Sequence, residues 1–275
     1  YATSDYGSTS PPERVPNTIG NAELKPQKTT MYEIGLQQQL GEELSLEVTA
    51  YFKDIRNLLG TEILHTTTGI RYARYINRDY GGVKGLTFAF EKRLTAGFGA
   101  TLDYTYQIAR GDASDPASAF LDAQAGREPQ KQLVPLNWDR THSLNLSLTA
   151  GNAKVWSASV IGRLGSGLPY TPTQQNVRTA VENSERRPSF MNVDFYASRN
   201  FKAGGLNFNA FVRIYNLLDQ KNELDVYSDT GRANYTLSAL ASGTIFGVNS
   251  LSDYLTRPNF YSDPRQILAG IGLEF

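Results

Sequence analysis

Segments in which apolar and polar residues strictly alternate recur along this chain, and the connections between them come in two kinds taken in turn: a tight turn, then a long polar loop, then a tight turn again. The tight connections are Gly41-Glu42-Glu43, Thr95-Ala96-Gly97, Gly151-Asn152-Ala153 and Ala203-Gly204-Gly205. In an antiparallel sheet this order puts every tight turn at one end and every long loop at the other. An outer-membrane β-barrel has that asymmetry, with short periplasmic turns and longer extracellular loops.

The segments support the same reading. Leu44, Leu46, Val48, Ala50 and Phe52 alternate with Ser45, Glu47, Thr49, Tyr51 and Lys53, the cleanest strand pattern in the sequence. Before it lies an expected strand at 29–39, with Tyr32, Ile34 and Leu36 on one face. After it the pattern predicts a loop of roughly a dozen residues around Gly60 to Gly69, and then a strand over 80–92 with Leu86, Phe88 and Phe90 outward. Further strands are expected at 98–108, 143–149, 156–160, 191–198, 206–214 and 267–275, separated by long polar stretches at 111–139, 165–188 and 219–263. Residues 1–28 are rich in Pro, Ser, Gly and Asn and read as a loop.

Each apolar stripe covers about nine to eleven residues, the length a tilted strand needs to cross the hydrocarbon layer. Nine strands are expected, whereas single-chain bacterial barrels have even numbers and an open edge would leave backbone groups unpaired in lipid. The expected fold is therefore all-β: an antiparallel transmembrane β-barrel fragment, with 1–28 as an extracellular loop and 29–275 as part of a larger barrel.

Composition narrows the function classes. The formal net charge is zero and the basic residues are dispersed, so nothing favours a nucleic-acid partner. Cysteine is absent, which removes disulfides, thiolate metal sites and cysteine nucleophiles together. Phe90, Phe98, Trp156, Phe201 and Phe275 gather near the short-turn end, and Tyr32, Phe52, Tyr104 and Tyr106 toward the long-loop end, like the two aromatic girdles of a barrel in a lipid bilayer. In a soluble sandwich these would be core aromatics, but a sandwich has no reason to keep its long loops at one end. The chain opens without an initiator Met, a basic n-region or an apolar h-region, and reads as a mature or internally truncated polypeptide.

Five motifs stand in order: Glu23-Leu-Lys-Pro-Gln-Lys-Thr-Thr-Met-Tyr-Glu-Ile-Gly-Leu36, Gly82-Val-Lys-Gly85, Gly167-Leu-Pro-Tyr-Thr-Pro172, Asn216-Leu-Leu-Asp219 with Asn222, and Asp225-Val-Tyr-Ser-Asp-Thr-Gly-Arg232, followed by a terminal strand ending in Phe275. Together they resemble TonB-dependent outer-membrane receptors. The resemblance implies a 22-stranded barrel closed by an N-terminal plug, with this chain as about the last nine strands. It implies an integral protein of the Gram-negative outer membrane that imports a scarce bulky nutrient such as a ferric siderophore, cobalamin, haem, a glycan or a peptide. The TonB-ExbB-ExbD complex would supply the energy through the N-terminal region missing here. It further implies assembly by the barrel assembly machinery, with Phe275 as the C-terminal assembly signal, and a surface lipoprotein as partner if the chain belonged to the carbohydrate branch.

Catalytic and metal chemistry find little support. The two histidines, His65 in an expected loop and His142 at a strand start, are not at metal-ligand spacing. Gly165-Ser166-Gly167 lacks the preceding glycine of a nucleophile elbow, there is no phosphate loop, and Asp112 and Asp115 lack the rest of a calcium loop. The chain is expected to be neither an enzyme nor a cofactor binder. By alternation Glu33, Glu47, Lys53, Asp103, Asp194 and Arg213 face the lumen, where hydrogen bonding to a plug is the default role. Tyr104, Tyr106, Gln107 and Arg110, which lead into a long loop, are the candidates for ligand contact at the extracellular mouth. Two other readings stay open: a barrel that only displays loops for adhesion or complex assembly, and an ungated porin.

Overall fold

The computed structural model of the chain describes residues 18–65, 67, 71–112, 132–152, 154–174, 177–237, 255 and 257–274. Nine long strands carry the fold: β1 (Lys28–Leu40), β2 (Leu44–His65), β3 (Arg71–Thr95), β4 (Phe98–Gly111), β5 (His142–Asn152), β6 (Trp156–Gly165), β7 (Phe190–Ala203), β8 (Leu206–Tyr215) and β9 (Gln266–Glu274). Each pairs antiparallel with its neighbours in the chain, giving one meandering sheet from β1 at one edge to β9 at the other. The two edges do not pair with each other, so the sheet is an open part of a barrel.

Register explains why the sequence pattern is so regular. Leu36, Val48, Phe88, Tyr104, Leu144, Leu164 and Met191 form one continuous row from β1 to β7. The adjacent row on the other face is Gln37, Glu47, Ala89, Asp103, Asn145, Arg163 and Asn192. A slip of one residue at any pairing would mix the two rows, so the contrast between an apolar and a polar face fixes the register throughout. The apolar face leaves Ile34 78%, Leu36 65% and Ile271 72% exposed, which suits hydrocarbon rather than water.

The tight turns follow from local backbone chemistry. Ala96 and Gly97 (φ 51° and 79°) and Gly204 and Gly205 (φ 58° and 80°) are consecutive left-handed pairs, the geometry of two-residue hairpin loops that match strand twist.

One expectation is corrected. The loop expected around Gly60 to Gly69 is mostly strand: β2 continues to His65, β3 begins at Arg71, and these two residues are partners. His65 therefore ends a strand instead of lying in a loop. The register shifts between Ile55 and Leu59, where Asn57 has φ 61°, and re-phases the strand, so no single period runs through it. The extension is held by Arg74, which donates to Glu62 at 2.7 Å, and by Thr18–Ile19, which pairs in parallel with Ala73 and Arg74.

Two small apolar clusters lie at the loop end. Ile55, Val83, Ala109 and Leu136 form one on the polar face, where the segment after 131 folds back and Val134–Pro135 pairs with Arg110 and Gly111. Tyr227, Ala233 and Phe260 form the other, inside the loop between β8 and β9.

Candidate functional site at the loop end of the sheet

The four residues expected at the mouth do not converge. Tyr104 and Tyr106 are on the apolar face beside His142: the Tyr104 hydroxyl and His142 Nδ1 are 2.8 Å apart, and the Tyr106 and His142 rings 5.4 Å. Gln107 is on the opposite face, where its Oε1 accepts a hydrogen bond from the Tyr51 hydroxyl at 3.0 Å. Lys53 Nζ sits 5.2 Å over the Tyr51 ring, and that ring covers Gly85 of its partner strand, where a side chain would collide with it. Arg110 is exposed near the top of β4, on the face of Tyr104 and Tyr106.

The residues expected to face the lumen share the polar face. Glu33 pairs in register with Tyr51, while Glu47 and Asp103 occupy one row. Asp194 is a node: it accepts from Asn192 Nδ2 at 2.8 Å and from the Asn216 backbone N–H at 2.9 Å, with Arg163 at 3.8 Å. Arg213 stacks over Tyr196 and Phe211, at 5.4 and 5.5 Å from their ring centres. Ser159, Arg163, Asp194, Tyr196, Arg213 and Tyr215 are among the residues that line a concavity of about 410 Å³, which offers both signs of charge together with aromatic side chains. Phe275 and Asp115 lie outside the described residues.

Above this face the loops are tied down by buried polar groups. Asp139, with its side chain 3% exposed, accepts the Ala109 N–H at 2.7 Å and pairs with Arg186 at 2.5 Å. Arg186 also donates to the Asp139 and Gly167 carbonyls, joining the loop before β5 to the loop after β6. Asn183 reaches the Pro135 carbonyl at 2.8 Å. Asn216 donates to the Gln220 and Asp263 carbonyls, and Asn222 exchanges hydrogen bonds with the Met191 backbone. Those two asparagines belong to a motif visible in the sequence. Asp139 and Arg186 had no such signal, because a pair 47 positions apart leaves no local pattern.

The loop between β8 and β9 has its own ion pair, Arg232 with Glu223 at 2.7 Å, and the Glu223 hydrogen bond holds the guanidinium above its usual range. Burial, reinforced by Glu185 and Asp229, pushes the Tyr170 phenol up, and burial followed by Glu223 does so for Tyr261. Both phenols therefore stay neutral hydrogen-bonding groups. Among the described residues no group of three or more His, Asp or Glu side chains is placed to hold a metal ion. What the described part of the site offers is recognition: aromatic rings, hydrogen-bonded amides and paired charges.

Residues 2–217 match the family described as TonB dependent receptor-like, beta-barrel. No curated protein matches the chain. Among solved structures, the pyoverdine outer membrane receptor FpvA from Pseudomonas aeruginosa PAO1, bound to pyoverdine, is similar at TM-score 0.59 and 15% identity, over 92% of this chain and 30% of that one. The outer membrane transporter YddB from Escherichia coli is similar at 0.57 and 13%, over 76% and 31%. The Ferric-Catecholate import receptor Fiu from K12 E. coli is similar at 0.53 and 19%, over 77% and 26%. At these identities the likeness is one of fold, and the chain spans less than a third of each of these structures.

Proposed function

Because the chain belongs to the TonB-dependent receptor β-barrel family, and so to an outer-membrane barrel, we propose that it is the C-terminal part of an active importer of a scarce bulky nutrient. The match over residues 2–217 carries the proposal and sets it among receptors instead of enzymes. The described loop segments, tied together over a polar face by Asp139, Arg186 and Asn222, fit a surface that captures substrate. A ferric siderophore is the favoured substrate class, because similar structures include a receptor bound to pyoverdine and a ferric-catecholate import receptor.

In this reading residues 1–28 form an extracellular loop and 29–275 barrel, with an N-terminal plug upstream in the same polypeptide. Glu33, Glu47, Lys53, Asp103, Asp194 and Arg213 hydrogen-bond to that plug. Of the four mouth residues, Gln107, on the polar face, contacts substrate in this reading, whereas Tyr104 and Tyr106 anchor the barrel in the membrane interface. The TonB-ExbB-ExbD complex supplies energy, and the barrel assembly machinery reads Phe275. A surface lipoprotein partner would be expected only with a glycan substrate.

The test is uptake of radiolabelled iron–siderophore complexes by cells of the native organism with and without the gene, in TonB-competent and TonB-deficient backgrounds. Loss of uptake in both deletions is expected. Uptake that survives TonB deletion points to a porin, and uptake untouched by deleting this gene overturns the proposed substrate class. The intact mass of the native polypeptide is the companion measurement. A chain of roughly 650 residues, at about 30 per strand for 22 strands, is expected, and a native chain near 30.4 kDa would overturn the importer reading.

A further inference from the structure

We propose that the outward face of β3 and β4, at its extracellular boundary, is a binding site for the phosphate-bearing headgroup of an anionic membrane lipid, with Lys84 and Arg110 as the contacting cations.

Height comes first. On β4 the outward positions run Phe98, Ala100, Leu102, Tyr104, Tyr106 and Ile108. Ten residues at about 3.4 Å each, tilted about 40°, rise roughly 26 Å, which is the height of the apolar band of a membrane barrel. Ile108 pairs with Lys84, and one row further up Arg110 pairs with Gly82. The two cations therefore lie where hydrocarbon gives way to headgroups, on the face turned to lipid. Tyr106 and Tyr80, 38% and 49% exposed, flank them on the same face, as amphipathic rings do at this depth.

Charge comes second. Lys84 and Arg110 are exposed, and neither makes an ion pair among the described residues, whereas Arg56 nearby is held by Asp54. The acids in reach are committed: Asp54 is held by Arg56 at 2.8 Å, and Asp112 has a partner of its own. The shape also suits a headgroup. Gly82 stands between Asp54 on β2 and Arg110 on β4, and a side-chain carbon there would meet only the Lys53 carbonyl, at 3.9 Å. That leaves a notch with Lys84 below, Arg110 to one side and Arg56 beyond Asp54. A phosphate seated in it would bring a counter-charge to two cations that have none.

The proposal rests on the outer-membrane placement, and the experiment separates the two. Full-length protein is placed in nanodiscs of phosphatidylcholine alone or with phosphatidylglycerol, and the lipids retained after detergent release are counted by native mass spectrometry. Insertion into neutral discs tests the placement. A cation beside an anionic headgroup is worth about fivefold in lipid retention. Wild type should therefore retain phosphatidylglycerol preferentially, Lys84→Gln with Arg110→Gln should lose that preference by an order of magnitude, and Lys84→Arg should keep it. Arg93→Gln, which removes a charge from the polar face, should leave the preference unchanged. Equal retention by wild type and the double variant overturns the site, as does an equal loss in Arg93→Gln. Inorganic phosphate at millimolar concentration is then added to the detergent-solubilised protein. Displacement of the retained lipid by phosphate alone would make the site one for the free anion and overturn the lipid assignment.

Discussion

The membrane belt and the loop rim of this sheet are held together by different physics. In the belt, polar contacts join direct cross-strand partners: Thr149 with Ser159 at 3.0 Å and Ser157 with Ser198 at 2.9 Å. In the rim they span the chain: Asp139 to Arg186 over 47 positions, Asn216 to the Asp263 carbonyl over 47, and Asn222 to Met191 over 31. Belt stability is thus spread over many equivalent rows and set by which solvent each face meets. Rim order depends on a few buried groups, each with its own partner.

The strongest way to break this contrast is to change the solvent preference of one row. Leu146→Arg puts a charge at mid-band on the lipid face, beside Leu102 and Gly162, and should cost roughly 2 to 4 kcal/mol in the unfolding free energy of the full-length barrel in vesicles. Ser147→Arg, in the row of Thr101 and Ile161 on the polar face, should be mild. Equal losses from both would mean that the faces are wrongly assigned.

The next largest effect belongs to the rim. Asp139→Ala removes the acceptor of the Ala109 N–H and leaves Arg186 without its carboxylate, at about 2 kcal/mol. Arg186→Ala should cost at least as much, because it leaves the Asp139 carboxylate, 3% exposed, without its counter-charge, whereas the more exposed Arg186 can turn to water in Asp139→Ala. Hydrogen exchange should quicken around 132–141 and 181–188 while the amides of β5 stay protected. Equal loss of protection in β5 would show that the rim supports the belt, and the division between them would fall.

The sequence was legible in the belt for the same reason that the belt is robust. A period of two read from Leu44 to Lys53 or from Leu206 to Ile214 is the direct imprint of lipid on one face. The pattern lapses after Lys53 because β2 and β3 continue past the membrane, where no face needs to be apolar and a bulge re-phases the strand. Rim residues were legible only where a motif carried them, as with Asn216 and Asn222. Turn chemistry was legible locally, which gives a smaller prediction. Gly204 has φ 58° and no neighbour within 4 Å of the position of a side-chain carbon, so Gly204→Val meets backbone strain alone. It should cost about 1 to 2 kcal/mol, with no change in rim exchange.

The smallest effect tests whether the turn end is purely local. Glu43 lies in the first tight turn, yet its carboxyl is held below the usual range by the Thr95 hydroxyl and then by Lys92, whose Nζ is 3.3 Å away. Lys92 also donates to Thr95 Oγ1 and the Phe98 carbonyl, so one ammonium joins two neighbouring turns. Because the folded-state pKa is the lower one, the unfolded chain takes up the proton first. The contribution is complete above the ordinary carboxylate range and fades as pH falls through the folded-state value. The stability difference between wild type and Glu43→Gln should therefore be flat above about pH 5 and shrink on acidification. A difference that stays constant down to acid pH would show that Glu43 acts only through its uncharged hydrogen bonds, leaving each turn at this end to stand on its own backbone geometry.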